Sequence, residues 1–436
     1  MNYLEIVNLV FFILTTLMGL LTVHFAVFFI VGLFAKKKFP HTEDKRRYGI
    51  VVSARNEEAV IGNLIESVRK CKYPQDKLQV FVVAHNCTDN TAQVARDSGA
   101  IVYEYNNENE KMKGYALKYL FDKIKQDYGI ESNDGYFVID ADNVLPEDYI
   151  DKMNDAFVAN NCEKVITSFR NAKNFGQNIL SALYGIYFAQ GCRFESRGRT
   201  LLGCSTRISG TGFLFSSNVV KDGWKYVTIT EDWEFTADQI IENNKIVYCD
   251  EAEFYDEQPT GMKIMFRQRL RWAKGHLLVC VTRFKDLMKG LFKPKSKGGS
   301  QHKFSIYDIT VNILPSPVMF TLIVVLKPVC LAFAPLFGFD AVSIWTDWAI
   351  QLGYGAATYY GVTVFTAIIL LIVEHKRIKH VNFGLKILAV FLWPIFLALA
   401  SPLEFVSMFV KNLKWKAIPH KDARGIDNIH CRKSKN

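Results

Sequence analysis

Residues 4–34 form an apolar run whose only ionisable side chains are Glu5 and His24. At a 1.5 Å rise per residue the run outlasts the roughly 20 residues that span bilayer hydrocarbon. A soluble helix this long and this apolar would have to be covered by protein on every side. No small-residue cleavage site follows it, as one would in a secretory signal. Lys36, Lys37, Lys38, Lys45, Arg46 and Arg47 come directly after. The positive-inside rule then predicts an outer N-terminus, a membrane helix within residues 1–38, and a cytoplasmic region beyond it.

Three more apolar stretches lie near the other end, at Ile309–Phe339, Ala349–Val373 and Phe383–Val410. If all four stretches crossed, the C-terminal tail would lie outside. The charges oppose this: Lys411, Lys414, Lys416, Lys421, Arg424, Arg432, Lys433 and Lys435 fill the tail, and Lys376, Arg377 and Lys379 sit between the last two stretches. One stretch is therefore expected not to cross simply. The first is broken by Pro315, Pro317, Lys327, Pro328 and Pro335, and the last by Pro394 and Pro402, so either is a candidate hairpin or re-entrant element.

The region between reads differently. Gly49–Ala54, Leu78–Ala84, Ala100–Tyr103 and Tyr136–Ile139 are short β-rich runs. They alternate with helical patterns at Glu57–Arg69, Asp89–Ser98 and around Ala116, Leu117, Leu120, Phe121 and Ile124. Such alternation implies an α/β fold with a mainly parallel, doubly wound sheet, whose ligands sit at the carboxyl ends of the strands. The expected organisation is a span (1–38), an α/β domain (46–258), a basic amphipathic interface helix with a polar linker (259–303), a second membrane region (304–411) and a basic tail (412–436).

The net charge of +10 calls for a polyanionic partner. No zinc-finger spacing and no basic helix carrying base-reading polar residues is present. An anionic lipid surface or a diphosphate is expected, and no nucleic acid. The nine cysteines show no C-x-x-C pair, which fits a reducing compartment.

Asp140-Ala141-Asp142 follows a strand. Two carboxylates at i and i+2 there can bind a hard cation and hold a diphosphate through it, or form an ordinary Asp-rich turn. Thr230-Glu231-Asp232 offers either a carboxylate base for a sugar hydroxyl or a solvated helix start capped by Thr230. Gln268 and Arg271 are three apart and share a helix face, with Trp272 beside them. Arg271 can neutralise a departing diphosphate and Trp272 can stack on a sugar ring. The plain alternative is one turn of a basic interface helix.

Taken together and in order, Ser53-Ala54-Arg55-Asn56-Glu57-Glu58, Asn86-Cys87-Thr88-Asp89, Asp140-Ala141-Asp142, Gly210-Thr211-Gly212, Thr230-Glu231-Asp232 and Gln268-x-x-Arg271-Trp272 resemble the membrane-integrated family-2 glycosyltransferases. These include cellulose, chitin, hyaluronan and poly-N-acetylglucosamine synthases. The resemblance runs from about residue 48 to about 285. It implies a GT-A fold, inversion at the anomeric carbon, a UDP-sugar donor (UDP-GlcNAc or UDP-glucose) and Mg²⁺ or Mn²⁺. It also implies a cytoplasmic catalytic domain on a multi-pass plasma-membrane protein.

Carried over motif by motif, Ala54, Asn56, Glu57, His85, Lys113 and Asp140 would bind the nucleotide sugar, with Gly114 nearby. Asp142, with Asp140, would hold the metal. Gly210, Thr211, Gly212 and Phe213 would lie beside the acceptor, and Gln268, Arg271 and Trp272 would hold diphosphate and acceptor. Asp232 would be the base, with Glu231 next to it. Two positions depart from the pattern: His85 stands where an Asp often contacts the base, and Met112 stands where Gly is common. His420, in Trp415-Lys416-Ala417-Ile418-Pro419-His420, is similar to a Trp-containing segment that follows the last span of such synthases, and is expected near the donor if it is cytoplasmic.

The function so implied is extension of a polysaccharide, with export through the protein's own spans. The alternatives are transfer to a membrane lipid, or a transporter or receptor. The absence of a P-loop and the scarcity of intramembrane charges at a midplane site weigh against the last.

Overall fold

The computed structural model describes residues 1–293, 299–314, 316–379, 381–411, 413 and 417–429. Pro315, the linker segment 294–298, Lys414, Trp415, Lys416 and residues 430–436, with Cys431, Arg432, Lys433 and Lys435, lie outside the described residues.

Helices α1 (Tyr3–Thr22) and α2 (His24–Phe34) make up the apolar N-terminal segment and lead into the sheet domain. There β1 (Tyr48–Ala54), α3 (Ile61–Arg69), β2 (Leu78–His85), α4 (Thr91–Asp97), β3 (Ile101–Tyr105), α5 (Lys113–Asp127) and β4 (Gly135–Val138) alternate as the hydrophobic pattern requires. Next come α6 (Tyr149–Val158), β5 (Val165–Ala172), α7 (Ile179–Gln190), a π-helical turn at Gly191–Ser196, α8 (Arg197–Leu201), β6 (Phe213–Ser216), α9 (Glu231–Ile241) and β7 (Ile246–Asp256).

The seven strands lie in the order β3-β2-β1-β4-β6-β5-β7. β6 is antiparallel to both of its neighbours, and the other pairings are parallel. Successive β1 residues face opposite sides. Tyr48, Ile50 and Val52 pack with Leu64, Ile65, Met153 and Phe157, whereas Val51 packs with Leu117, Phe121 and Trp224. Burying each such aliphatic side chain contributes about 1.5–3 kcal/mol. The strand ends therefore form a firm platform for the loops above them.

The membrane-associated part comprises α10 (Met262–Phe292), α11 (Gly299–Ile313), α12 (Ser316–Ala332), α13 (Ala341–Val373), α14 (Phe383–Ala398), α15 (Ala400–Phe409) and the short α16 (Ile426–Ile429). The amphipathic α10 is present as expected. The polar linker expected up to Lys303 is not: Gly299–Lys303 begins α11, which docks on the sheet domain through Ser305, Ile306 and Asp308. Docking buries the apolar face of α11, so Ile309 does not open a span.

Three helical segments are long and apolar enough to cross a membrane: Tyr3–Phe34, Ala341–Val373 and Phe383–Phe409. Length alone does not set their course. The Phe383–Phe409 segment is broken at Leu399; α14 packs on α7 of the sheet domain and α15 on α10 and α12. Arg269 donates to the Phe396 carbonyl at 2.5 Å, and Lys274 donates to that of Ser407 at 3.2 Å. The shorter α12 instead runs antiparallel to α1. Tyr307, just before it, donates to the Leu21 carbonyl, and Cys330, near its end, accepts from the Tyr3 hydroxyl at 2.7 Å.

Buried ion pairs fix this assembly to the sheet domain. Arg199 forks onto Asp308 at 2.7 and 3.1 Å, and His24 reaches the same carboxylate at 3.0 Å. Arg197 holds Asp250 at 2.6 Å, Arg193 holds Glu374 at 2.8 Å, and Arg377 reaches both acids. The register jump in β7, where Cys249 and then Glu253 pair with successive β5 residues, leaves Asp250 free to face these arginines.

Candidate active site

A cavity of about 290 Å³ opens over the carboxyl ends of β1, β2, β4 and β7 and is closed by α7, α9, α10 and the tail. Charge fills its floor. The Lys113 ammonium, at the start of α5, contacts Asp140, donates to the Gly210 carbonyl at 2.7 Å and lies 3.7 Å from Glu231. Those carboxylates hold it above its usual range against the opposing effect of burial. Arg170 forks onto Asp256 and donates to the Ser209 carbonyl at 2.7 Å. Burial, with Asp142 and Asp140 nearby, pushes Asp256 up to about 6 despite that arginine.

Asp142 accepts from the Glu257 amide at 3.0 Å. Burial pushes Glu57 up to about 7, and Asp142 and Asp140 add to the rise. Glu57, Asp140, Asp142, Asp256 and Glu257 thus converge on one cavity. This donor set fits a hard divalent ion, with Asp142 and Asp140 as its holders. The tightest His and carboxylate cluster among the described residues, His41, Asp151 and Asp155, lies elsewhere and is already served by Lys45.

Four of the six nucleotide-sugar candidates, Glu57, His85, Lys113 and Asp140, line the cavity. Ala54 and Asn56 do not; Ser53 and Arg55 line it instead. Ala54 points into the core, and Asn56, at φ 58°, turns its side chain back to accept from the Thr88 amide at 2.8 Å. His85 holds its Nε2 between the Asn86 side-chain amide, at 3.1 Å, and a shorter carbonyl contact that sets its tautomer. Its Nε2 lies 2.6 Å from the Glu110 carbonyl, which can only accept, so Nε2 carries the proton and Nδ1 keeps its lone pair. Burial holds this ring below its usual range, in the neutral form.

Of the glycine-flanked motif, only Gly210 lines the cavity. Thr211 is buried and accepts from the Asp140 amide at 2.8 Å, so it shapes the acidic loop from beneath. Gly212 has φ 67° and would drive a Cβ into the Phe254 ring at 2.1 Å, so its place is structural. Phe213 is in the core.

Glu231 and Asp232 open α9, and both face the cavity. Thr230 occupies the cap position, but its hydroxyl makes no capping bond and is buried without a partner. This is not the solvated helix start of the plain alternative. Burial pushes Glu231 up to about 7 and raises Asp232 as well, with Arg271 opposing the rise in both. Gln268, Arg271 and Trp272 line the same cavity from α10. Arg271 donates to the Ile229 carbonyl at 3.1 Å, and Trp272 sits among Tyr184, Tyr187 and Phe188 with centroids 6.1 Å apart.

The tail returns across the mouth. His420 Nδ1 lies 2.9 Å from Glu57 and Nε2 lies 3.8 Å from Asp142. These acids push His420 up to about 10 against the opposing effect of burial. Lys421 and Asp422 donate backbone amides to Glu257, and Lys173 donates to the Asp422 carbonyl at 2.5 Å. Arg170, Asp256 and Glu257 escaped the motif reading. Their one sequence signal was a lone arginine in the apolar strand Val165–Ala172.

The sequence model described as glycosyltransferase-like family 2 matches residues 46–275. A β-monoglucosyldiacylglycerol synthase from Synechocystis sp. is 27% identical over 245 residues, 52% of this chain and 47% of that protein. A poly-β-1,6-N-acetyl-D-glucosamine synthase from Staphylococcus epidermidis is 26% identical over 225 residues, 50% of this chain and 52% of that protein. The chain spans about half the length of the curated relatives it matches. Among solved structures, a mannosyltransferase from Pyrobaculum calidifontis in complex with GDP-Man and Mn²⁺ superposes with a TM-score of 0.60. The match covers 93% of this chain and 100% of that one at 13% identity, a likeness of fold.

Proposed function

Because the chain belongs to glycosyltransferase-like family 2, and is a glycosyltransferase with a GT-A fold, we propose that it transfers a sugar, with inversion, from a UDP-sugar to a hydroxyl acceptor held at the membrane. The observation that carries this reading is the convergence of motifs scattered from Ser53 to Trp272 on one cavity.

In the proposed reaction the diphosphate lies over the end of β4. Lys113 and Arg271 offset its charge there, and Gln268 and Trp272 flank the acceptor. Asp142 and Asp140 would hold Mg²⁺ or Mn²⁺, which would neutralise the leaving diphosphate. Asp232 takes the acceptor proton as the hydroxyl attacks the anomeric carbon. Its raised proton affinity suits a base, and it lines the cavity beside Gly210. His85 offers Nδ1 as a single acceptor for a base N–H, a role that suits the imide of uracil.

The likeness to a poly-N-acetylglucosamine synthase favours extension of a polysaccharide, and the likeness to a β-monoglucosyldiacylglycerol synthase favours transfer to a membrane lipid. For topology, crossings by α1–α2, α12 and α13, with α14–α15 in the interface, reconcile every basic loop with one side. The catalytic domain is then cytoplasmic and the tail shares its side.

The test is nucleoside-diphosphate release by the purified chain in lipid vesicles, across a panel that includes UDP-GlcNAc, UDP-glucose and GDP-mannose. Release that Asp232→Asn suppresses is expected. No release from any donor, or equal release by the variant, overturns the reading.

A further inference from the structure

A second cavity, of about 390 Å³, adjoins the first on its membrane side. Tyr187, Arg207, Trp233 and His276 line both, so the two spaces meet behind the catalytic pocket. Its far walls come from Phe25 and Phe29 of α2, Leu314 and Val318 near the start of α12, and Met408 of α15. Phe25 and Phe29 are half-buried and Met408 is 45% exposed, so this end reaches the apolar surface.

The cavity is polar at one end and apolar at the other. Toward the catalytic pocket, Arg207 bridges Glu195 at 3.0 Å and Asn312 at 2.7 Å. Gln190 and Glu404 also line the cavity, and Gln190 Oε1 and Glu404 Oε2 are buried without a hydrogen-bond partner among the described residues. Gln268 Oε1, in the adjoining catalytic pocket, is in the same state. These polar side chains in connected spaces suit a ligand that brings hydroxyl groups. An acid left unpartnered in an apolar helix is itself a mark of function.

The apolar end asks for something else. A glycan lying there would lose hydrogen bonds to water and regain none from Phe25, Phe29, Leu314, Val318 and Met408. Nor do the spans wall a conduit beyond it: residues 349–362 of α13 are exposed on every face.

Resting on the glycosyltransfer reading, we infer that this cavity binds the acceptor as an amphiphile. Its hydroxyl headgroup meets Glu404, Gln190 and Gln268 on the way to Asp232, and its hydrocarbon chain lies between α2 and α15. The acceptor hydroxyl loses its proton to Asp232 while its oxygen bonds to the anomeric carbon, and the nucleoside diphosphate departs with the electrons of the broken bond.

Three acceptor arms test this with wild-type protein in phosphatidylglycerol vesicles: alkyl glucosides of increasing chain length, diacylglycerol, and a water-soluble oligosaccharide. The acceptor KM should fall with chain length, by up to roughly tenfold for each two added methylenes. Met408→Trp, at the exposed rim, should flatten that dependence while UDP affinity stays within about twofold. Preference between glucoside and diacylglycerol distinguishes a glycolipid from a lipid alcohol, and either supports the inference. A dodecyl glucoside carrying a diazirine should crosslink to peptides containing Phe29 or Met408, a readout that needs no turnover. A KM independent of chain length, equal use of the soluble oligosaccharide, or crosslinks confined to other peptides overturns the inference and leaves glycosyl transfer standing. No nucleoside-diphosphate release under any condition overturns the transferase reading itself.

Discussion

The two walls of the catalytic cavity are built differently. The donor-side wall consists of strand ends, and its charges meet in short direct pairs: Lys113 with Asp140, Arg170 with Asp256, and His420 with Glu57. The acceptor-side wall consists of helices α7, α9 and α10 together with the second cavity, and it carries oxygens left without partners at Thr230, Gln268, Gln190 and Glu404. A wall whose polar groups satisfy one another is preorganised for a fixed polyanion. A wall with open acceptors is completed by its ligand. Changes on the donor side should therefore act through binding of metal and nucleotide, and changes on the acceptor side through the rate and product of transfer.

The largest expected effect is on the donor side. EDTA should abolish turnover, and Asp142→Asn should not recover with added Mg²⁺; full turnover in EDTA removes the metal from the scheme. On the opposite wall, Asp232→Asn should lose about 10²–10⁴ in rate, or roughly 3–5 kcal/mol of barrier. Its UDP affinity by calorimetry should stay near wild type, and Glu231→Gln should cost less. A parallel fall in affinity would merge the two walls into one.

Trp272→Ala should reduce acceptor use about tenfold and shorten any polymeric product without changing UDP binding. If nucleotide affinity drops as far as yield, the ring is placing α10.

The pH profile sharpens the contrast. Asp232 must be ionised to act, and burial raises its proton affinity. Activity should then rise with pH through a limb above the ordinary aspartate range, near 4. A limb at an unperturbed value, or one that survives in Asp232→Asn, assigns the titration to another group.

The smallest effect belongs to His85. Loss of one neutral hydrogen bond is worth about 1 kcal/mol, so His85→Ala should weaken UDP several-fold and narrow the preference over GDP. Protonation removes the Nδ1 lone pair, so wild-type affinity should decline only below the ordinary imidazole range, near 6.5. A decline already complete at neutral pH contradicts the tautomer.

Motif reading found most of the donor wall because those residues sit on strand-end loops close in sequence to the strands that place them. It could not tell which side of a loop faces the ligand. Ser53 and Arg55 line the cavity while Ala54 and Asn56 support it, and Thr211 holds Asp140 from below. The second cavity and the pairs of Arg170 and Asp256 had no local signature, since their parts come from distant segments.

The sequence by itself determined the α/β class, because alternating short apolar strands and amphipathic helices have few other ways to bury their faces. It determined that the N-terminal run needs an apolar surround, and that the basic segments resist a fourth simple crossing. Only the tertiary structure decided what each apolar stretch packs against. Hydropathy measures what a helix can tolerate, and the choice between lipid and protein rests on the partner that competes for its surface. Phe383–Phe409 is apolar enough for the bilayer, yet Trp393 and Phe396 are buried in one cluster with α7, and Arg269 and Lys274 of α10 reach the segment's carbonyls. The same packing leads the tail onward to His420 beside Glu57, a contact across 363 residues that no local pattern encodes.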